Sequence, residues 1–248
     1  MKKVKIFAKK ITVILFLLML SMQINAQEIM IAVCAGYKKP FTEVIQVFEK
    51  STKVKVTSVF GNIQMVSIQA KQTGEICCII GDDKFLRKVK TTVTFKNYYP
   101  IGKGLLVLAY RKGFILNSPE DLVTDRVHSV FMPKDGKAIY GIASAESIKS
   151  YGFEEKLNDK LTQVSTVPQV VSYLHTGEAD AGFINITEAL ANRENIGGYI
   201  MIPEDKYTKI DIVAGVINGF ENKLGTREFI KFLSSDQAKS IFEKYGLK

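Results

Sequence analysis

Between Glu28 and Asp82 the chain alternates short apolar runs with amphipathic ones, and glycine marks the changes. Ile29–Val33 has the length and apolarity of a buried strand, and Ala35 and Gly36 make a small-residue turn after it. Phe41, Val44, Ile45 and Phe48 then recur at i, i+3, i+4 and i+7, so Pro40–Lys50 reads as a helix with proline in its first turn. Lys53–Phe60 alternates like a strand, Ile63–Thr73 reads as a helix ended by Gly74, Ile76–Ile80 as a buried strand, and Lys84–Lys90 as a further helix. Parallel strands need a crossover long enough to hold a helix, so this order predicts a parallel α/β unit. A strand that enters a helix through Gly36 also leaves the first helical N–H groups without intrahelical partners, at the positive end of the dipole. Such a terminus attracts an anion.

A second unit of the same style begins at Leu105. Leu105–Tyr110, Val127–Met132, Leu161–Val164 and Ala181–Ile184 are strand-like. Between them, Ser118-Pro119-Glu120-Asp121 has the order of a helix start, and Lys137–Ser150 reads as a helix ending at Gly152. Thr166 is placed to cap a helix with Pro168 in its first turn and Gly177 just past its end, and Thr187 to open another. Lys209–Ile217 is a last strand, and Thr226–Leu233 and Asp236–Tyr245 are closing helices, the second capped by Ser234 or Ser235 and ended by Gly246. No low-complexity linker separates the units, which fits two lobes joined by strands.

Residues 1–26 stand apart. Five lysines precede the apolar run Ile11–Met22, and Asn25-Ala26 offers a small-residue cleavage site before Gln27. That is the pattern of a cleaved export signal, since a bilayer-spanning helix needs about 20 apolar residues. Its removal takes away five lysines and no acids, which lowers the formal charge from +9 to +4. The remaining surface is mildly basic and carries no basic run with interleaved aromatics, so no nucleic-acid partner is expected. The mature chain is expected in the periplasm. Cys34, Cys77 and Cys78 are an odd set in strand-like runs and read as core thiols rather than a disulfide framework.

Catalytic chemistry finds little footing. His128 and His175 are the only histidines, one at a strand start and one in the last turn of a helix. The zincin, nucleophile-elbow, phosphate-loop and dinucleotide signatures are all missing. Asp82-Asp83 reads as a solvated helix start rather than a metal pair. The expectation is a protein that is not an enzyme and holds no metal or cofactor.

Three blocks carry a resemblance. They are the strand–turn–helix over 29–50 continued by KVKVTSVFGNIQMVSIQAKQTGEICCIIGD (Lys53–Asp82), then VPQVVSYLHTGEADAGFI (Val167–Ile184), and FIKFLSSDQAKSIFEKYGL (Phe229–Leu247). Together they resemble the extracytoplasmic substrate-binding proteins of ABC uptake systems, most closely the molybdate- and tungstate-binding branch. The resemblance implies a type II periplasmic-binding-protein fold. Each of its two α/β lobes is a mostly parallel sheet flanked by helices, and two crossover segments join them. One lobe would be 27–104 plus 209–248 and the other 105–208. A small anion would lie between them, molybdate or tungstate first, and the partners would be a membrane permease and its ATPase. The protein would be a monomer.

In that branch the dianion is held by backbone N–H groups and hydroxyls. Matched block by block, the two serine positions fall on Gly36 and on Ile63 within Asn62–Gln64. The backbone donors fall near Tyr140 and on Val167, and the tyrosine falls on Asn185. None of the three hydroxyls is kept. The implied ligand-binding set is therefore Gly36, Tyr37, Asn62, Ile63, Tyr140, Val167 and Asn185, with Asn62 and Asn185 able to supply amide N–H groups and Lys38 and Lys39 able to add charge at the first turn. The alternatives are another anion (phosphate, sulfate or a small organic anion) in the same fold, an exported enzyme or redox protein using Cys77-Cys78, or a ligand-free adaptor that only engages a membrane partner.

Overall fold

A computed structural model describes residues 27–88 and 93–247. The basic and apolar leader lies outside them, as do the last residues of the helix expected over Lys84–Lys90. The chain opens with β1 (Glu28–Cys34), a single 3-10 turn over Ala35–Tyr37, α1 (Lys38–Ser51), β2 (Lys55–Gly61), α2 (Ile63–Thr73), β3 (Ile76–Asp82), α3 (Asp83–Lys88) and β4 (Phe95–Gly104). It continues with β5 (Leu106–Tyr110), a 3-10 turn over Pro119–Val123, β6 (Val130–Pro133), α4 (Ile139–Tyr151), α5 (Glu154–Leu157), β7 (Leu161–Val164), α6 (Val167–Thr176), β8 (Ala181–Asn185), α7 (Ile186–Ala191) and β9 (Gly198–Met201). β10 (Ile210–Ile217), α8 (Leu224–Leu233) and α9 (Asp236–Lys244) follow.

The strands form two five-stranded sheets, ordered β2-β1-β3-β10-β4 and β7-β6-β8-β5-β9. Both are mixed rather than mostly parallel. In the first, β1 runs parallel to β2 and β3, while β10 runs antiparallel to β3 and β4. In the second, β6 runs parallel to β7 and β8, while β5 runs antiparallel to β8 and β9. The expectation is corrected for a connectivity reason. The inner strands are joined by crossover helices, which return the chain to the same end of the sheet. β10 arrives from the other sheet and enters from the opposite end. The chain passes between the sheets at Leu105 and returns between Met201 and Ile210. The Leu106 N–H donates to Tyr207 Oη at 3.1 Å, which ties the two crossings together.

Helix ends fall where the caps put them. Gly74, Gly152 and Gly177 adopt positive φ at the C-termini of α2, α4 and α6, where a side chain would be strained. Thr166 and Gln169 form a reciprocal capping box at α6. Three expectations change. Ser118–Asp121 starts only a 3-10 turn. α7 is capped by Asn185, whose Oδ1 accepts from the Glu188 N–H, rather than opened by Thr187. β4 and β9 have no counterpart among the expected strands: both are edge strands, β9 only four residues long and β4 half-exposed and broken by Pro100 and two register shifts against β10.

Behind the first sheet, Phe41 and Phe48 of α1 are fully buried, with ring centroids 5.4 Å from Phe242 and 5.2 Å from Phe229. Burying each ring is worth about 1.5–3 kcal/mol, which anchors the two C-terminal helices on the first sheet. Cys77 and Cys78 are buried free thiols in the same core. Among the described residues no helix is long and apolar enough to cross a membrane.

Candidate ligand-binding cleft

Four helix starts meet at one cavity of about 40 Å³. The turn Ala35–Tyr37 follows β1, Ile63 opens α2 behind Asn62, Ile139 and Tyr140 open α4 behind Ala138, and Val167 opens α6 behind Thr166. All of these residues line the cavity, together with Cys34, Gly61, Asp82, Phe85 and Ser165. The first two starts belong to the first sheet and the last two to the second, so the cavity lies between the sheets.

The caps decide which N–H groups are open. At α2 the Asn62 side chain takes the Met65 N–H at 2.9 Å, leaving those of Ile63 and Gln64. At α6 the capping box takes the Gln169 N–H and Pro168 has none, so Val167 alone remains. The starts at Ala35 and Ile139 have no side-chain cap. All the lining residues except Asp82 are uncharged, and no lysine or arginine is among them.

The sheets also touch directly around the cavity. Tyr37 Oη and Tyr140 Oη share a buried hydrogen bond of 2.7 Å. The carbonyl oxygen of Gly36 accepts from Asn185 Nδ2 at 2.9 Å and from Thr187 Oγ1 at 2.8 Å. On the rim, Lys39 Nζ donates to the Ala191 carbonyl at 2.8 Å and to Asn192 Oδ1 at 2.9 Å.

Residues 29–248 match the family described as bacterial extracellular solute-binding protein. The chain belongs to that family. It is 22% identical over 228 residues to the molybdate-binding protein ModA of Azotobacter vinelandii, covering 90% of each chain. It is 31% identical over 106 residues to a putative ABC transporter substrate-binding lipoprotein, YvgL, of Bacillus subtilis, covering 43% of this chain and 40% of that one. Among solved structures it is similar to the periplasmic molybdate-binding protein of A. vinelandii, with a TM-score of 0.80, 20% identity and coverage of 89% and 98% of the two chains. The two-lobed α/β fold follows from these likenesses, and so does the class: members of this family bind solutes and are not enzymes.

Within this solute-binding protein, six of the seven residues singled out in the sequence line the cavity: Gly36, Tyr37, Asn62, Ile63, Tyr140 and Val167. Asn185 stands behind the wall, its carbonyl oxygen capping α7 and its amide bonded to Gly36. Lys38 and Lys39 are not lining residues. Lys38 Nζ lies 5.6 Å from the centre of the Phe60 ring, and Lys39 holds the rim. Cys34, expected as a core thiol, is half-buried on the cavity wall, while Cys77 and Cys78 are core. Ser165, Phe85 and Asp82 were not legible as cavity residues: Asp82 ends β3 and Ser165 precedes a cap, where no periodic signal runs, and Phe85 lies in α3, which is too short to show one. Sequence spacing could have found Ser165, since it precedes the recognisable Thr166 cap.

Burial pushes the Cys34 thiol up to about 12, with the Asp82 charge adding to it. Burial and the neighbouring hydroxyl hold Tyr37 well above the ordinary phenol range, and burial raises Tyr140 as well. Both hydroxyls are therefore neutral donors at neutral pH. Asp82 is 2% exposed; burial raises its pKa, against the pull of the Phe85 N–H and Lys84. Its Oδ1 accepts from the Phe85 N–H at 2.9 Å, while Oδ2 has no hydrogen-bond partner. Among the described residues no three His, Cys, Asp or Glu side chains group as metal ligands.

Proposed function

We propose that the mature chain is the exported, periplasmic substrate-binding component of an ABC uptake system, and that it holds a small tetrahedral oxyanion, molybdate or tungstate first, between its lobes. The observation that carries this reading is the convergence of four helix starts on one small cavity whose walls hold no lysine or arginine. Open N–H groups at the positive ends of helix dipoles stabilise an anion without a counter-charge, and they survive the loss of the relatives' hydroxyls. A cavity of about 40 Å³ has room for about three waters, close to the oxygen shell of one such anion. Lobes of this kind close on a ligand about a hinge, and the crossings tied by Leu106 and Tyr207 are where that hinge falls. A membrane permease with its ATPase would receive the closed form.

A second reading keeps the fold and changes the anion. Asp82, a buried carboxyl among the residues that line the cavity, favours a ligand that brings its own proton, such as hydrogen phosphate. Calorimetric titration of the mature chain with molybdate, tungstate, sulfate and phosphate separates the two. Tight binding of the first two with weak binding of the others is the expected result. Preference for phosphate transfers the proposal to the second reading, and silence towards all four ends both.

A further inference from the structure

The Tyr37–Tyr140 contact poses a question of proton accounting. Both side chains are buried, at 1% and 2% exposure, and both line the cavity. Two hydroxyls bring two protons, and the 2.7 Å bond between them uses one. Neither hydroxyl has another hydrogen-bond acceptor among the described residues. The Asn185 side chain is engaged elsewhere: its Oδ1 accepts from the Glu188 N–H and its Nδ2 donates to the Gly36 carbonyl. Gly104, at the first crossing, leaves the space that the two hydroxyls fill, since a β-carbon there would collide with Tyr140 Oη. A buried donor left without an acceptor is costly, so the second proton calls for an oxygen in the cavity.

We infer that the Tyr37–Tyr140 pair is the hydroxyl donor of this binding site: it keeps one proton between the lobes and gives the other to an oxygen of the bound anion. The inference rests on the oxyanion reading above and deepens it. Either tyrosine can be the outer donor, because either can accept the shared proton. The pair thus takes over the work of the hydroxyls missing at Gly36, Ile63 and Asn185, from positions where their absence gave no hint of it. It also makes ligand recognition and lobe contact one event, since the two tyrosines come from different sheets.

The redundancy gives a signature. Tyr37→Phe and Tyr140→Phe each leave one hydroxyl able to reach the ligand, so each single change should weaken binding less than about tenfold. The double variant has no such donor and should lose about 10- to 100-fold, the worth of one charge-assisted hydrogen bond. The measurement is calorimetric titration of wild type, both singles and the double with molybdate, sulfate and phosphate, with a thermal melt of each chain. A large loss confined to the double, in a chain that still melts cooperatively, supports the inference. Wild-type affinity in the double overturns it while leaving the oxyanion reading intact. A wild-type chain that binds none of the three anions ends that reading and this inference with it. Should the double not fold, donation to an anion shifts tyrosine absorption to longer wavelength. A difference band must then appear when the bound anion is added to wild type and persist in each single variant, whose remaining tyrosine is the donor; no band overturns the inference.

Discussion

Gly36 shows how one residue's identity is set by another 149 positions away. A β-carbon at Gly36 would sit 2.8 Å from Asn185 Nδ2, and the same amide donates to the Gly36 carbonyl. A side chain such as serine at this position and the amide of Asn185 would exclude each other sterically. Gly36→Ser is therefore expected to cost about 1–3 kcal/mol through overpacking, a fall of a few degrees in melting temperature. Introducing Asn185→Ala into the same chain should return part of that cost, although Asn185→Ala alone destabilises by removing a cap. Thermal melts of the four chains give the coupling, and strict additivity would show that the contact does not matter.

At the level of elements, the second sheet depends on one carboxylate. Asp180, just before β8, accepts from Arg111 Nε at 2.9 Å beyond β5, and from the N–H groups of His128 and Ser129 at 2.8 and 3.2 Å ahead of β6. Burial pushes its pKa up, but those three donors outweigh burial and hold it below the usual carboxylate range. The sign follows. A depressed folded-state pKa adds stability that is complete above the unfolded value near 4 and is lost as pH falls through the folded one. Asp180→Asn should then cost about 2–4 kcal/mol at neutral pH. Urea unfolding across a pH series should show the two proteins converging in acid; a gap that stays constant would assign the loss to packing instead. Legibility at this scale was uneven. Capped helices such as Ile63–Thr73 and Val167–Thr176 could be bounded to the residue, because their stop and start signals are local. The edge strand β4 could not, because its partner β10 lies more than a hundred residues away.

For the whole molecule, the decisive contacts lie between the lobes. Lys39 reaches from α1 of the first lobe to the C-terminus of α7, where an unpaired carbonyl and the helix dipole both favour a cation. It also bonds Asn192 Oδ1, whose amide is held by the buried Glu188. These bonds exist only when the lobes meet. Lys39→Met keeps the stem and removes the donor, so it should weaken ligand affinity by about 5- to 30-fold while leaving the melting temperature of each lobe nearly unchanged. Small-angle scattering with saturating ligand should show a more open average shape. An unaltered affinity and envelope would mean that the rim bond is incidental.

The amino-acid sequence alone determined the alternation of strands and helices, most of their ends and the family, because apolar period, caps and glycine stops act over a few residues. It also marked the helix starts, which is why six of the seven residues proposed for the ligand line a single cavity. Tertiary structure decided the rest: the antiparallel half of each sheet, the placing of Asn185 behind the wall rather than in it, the close approach of Asn185 to Gly36, and the meeting of Tyr37 with Tyr140. Each of these depends on which segments from opposite lobes approach within a few ångströms. That approach is set by the two crossings and the packing of whole sheets, and no local pattern records it.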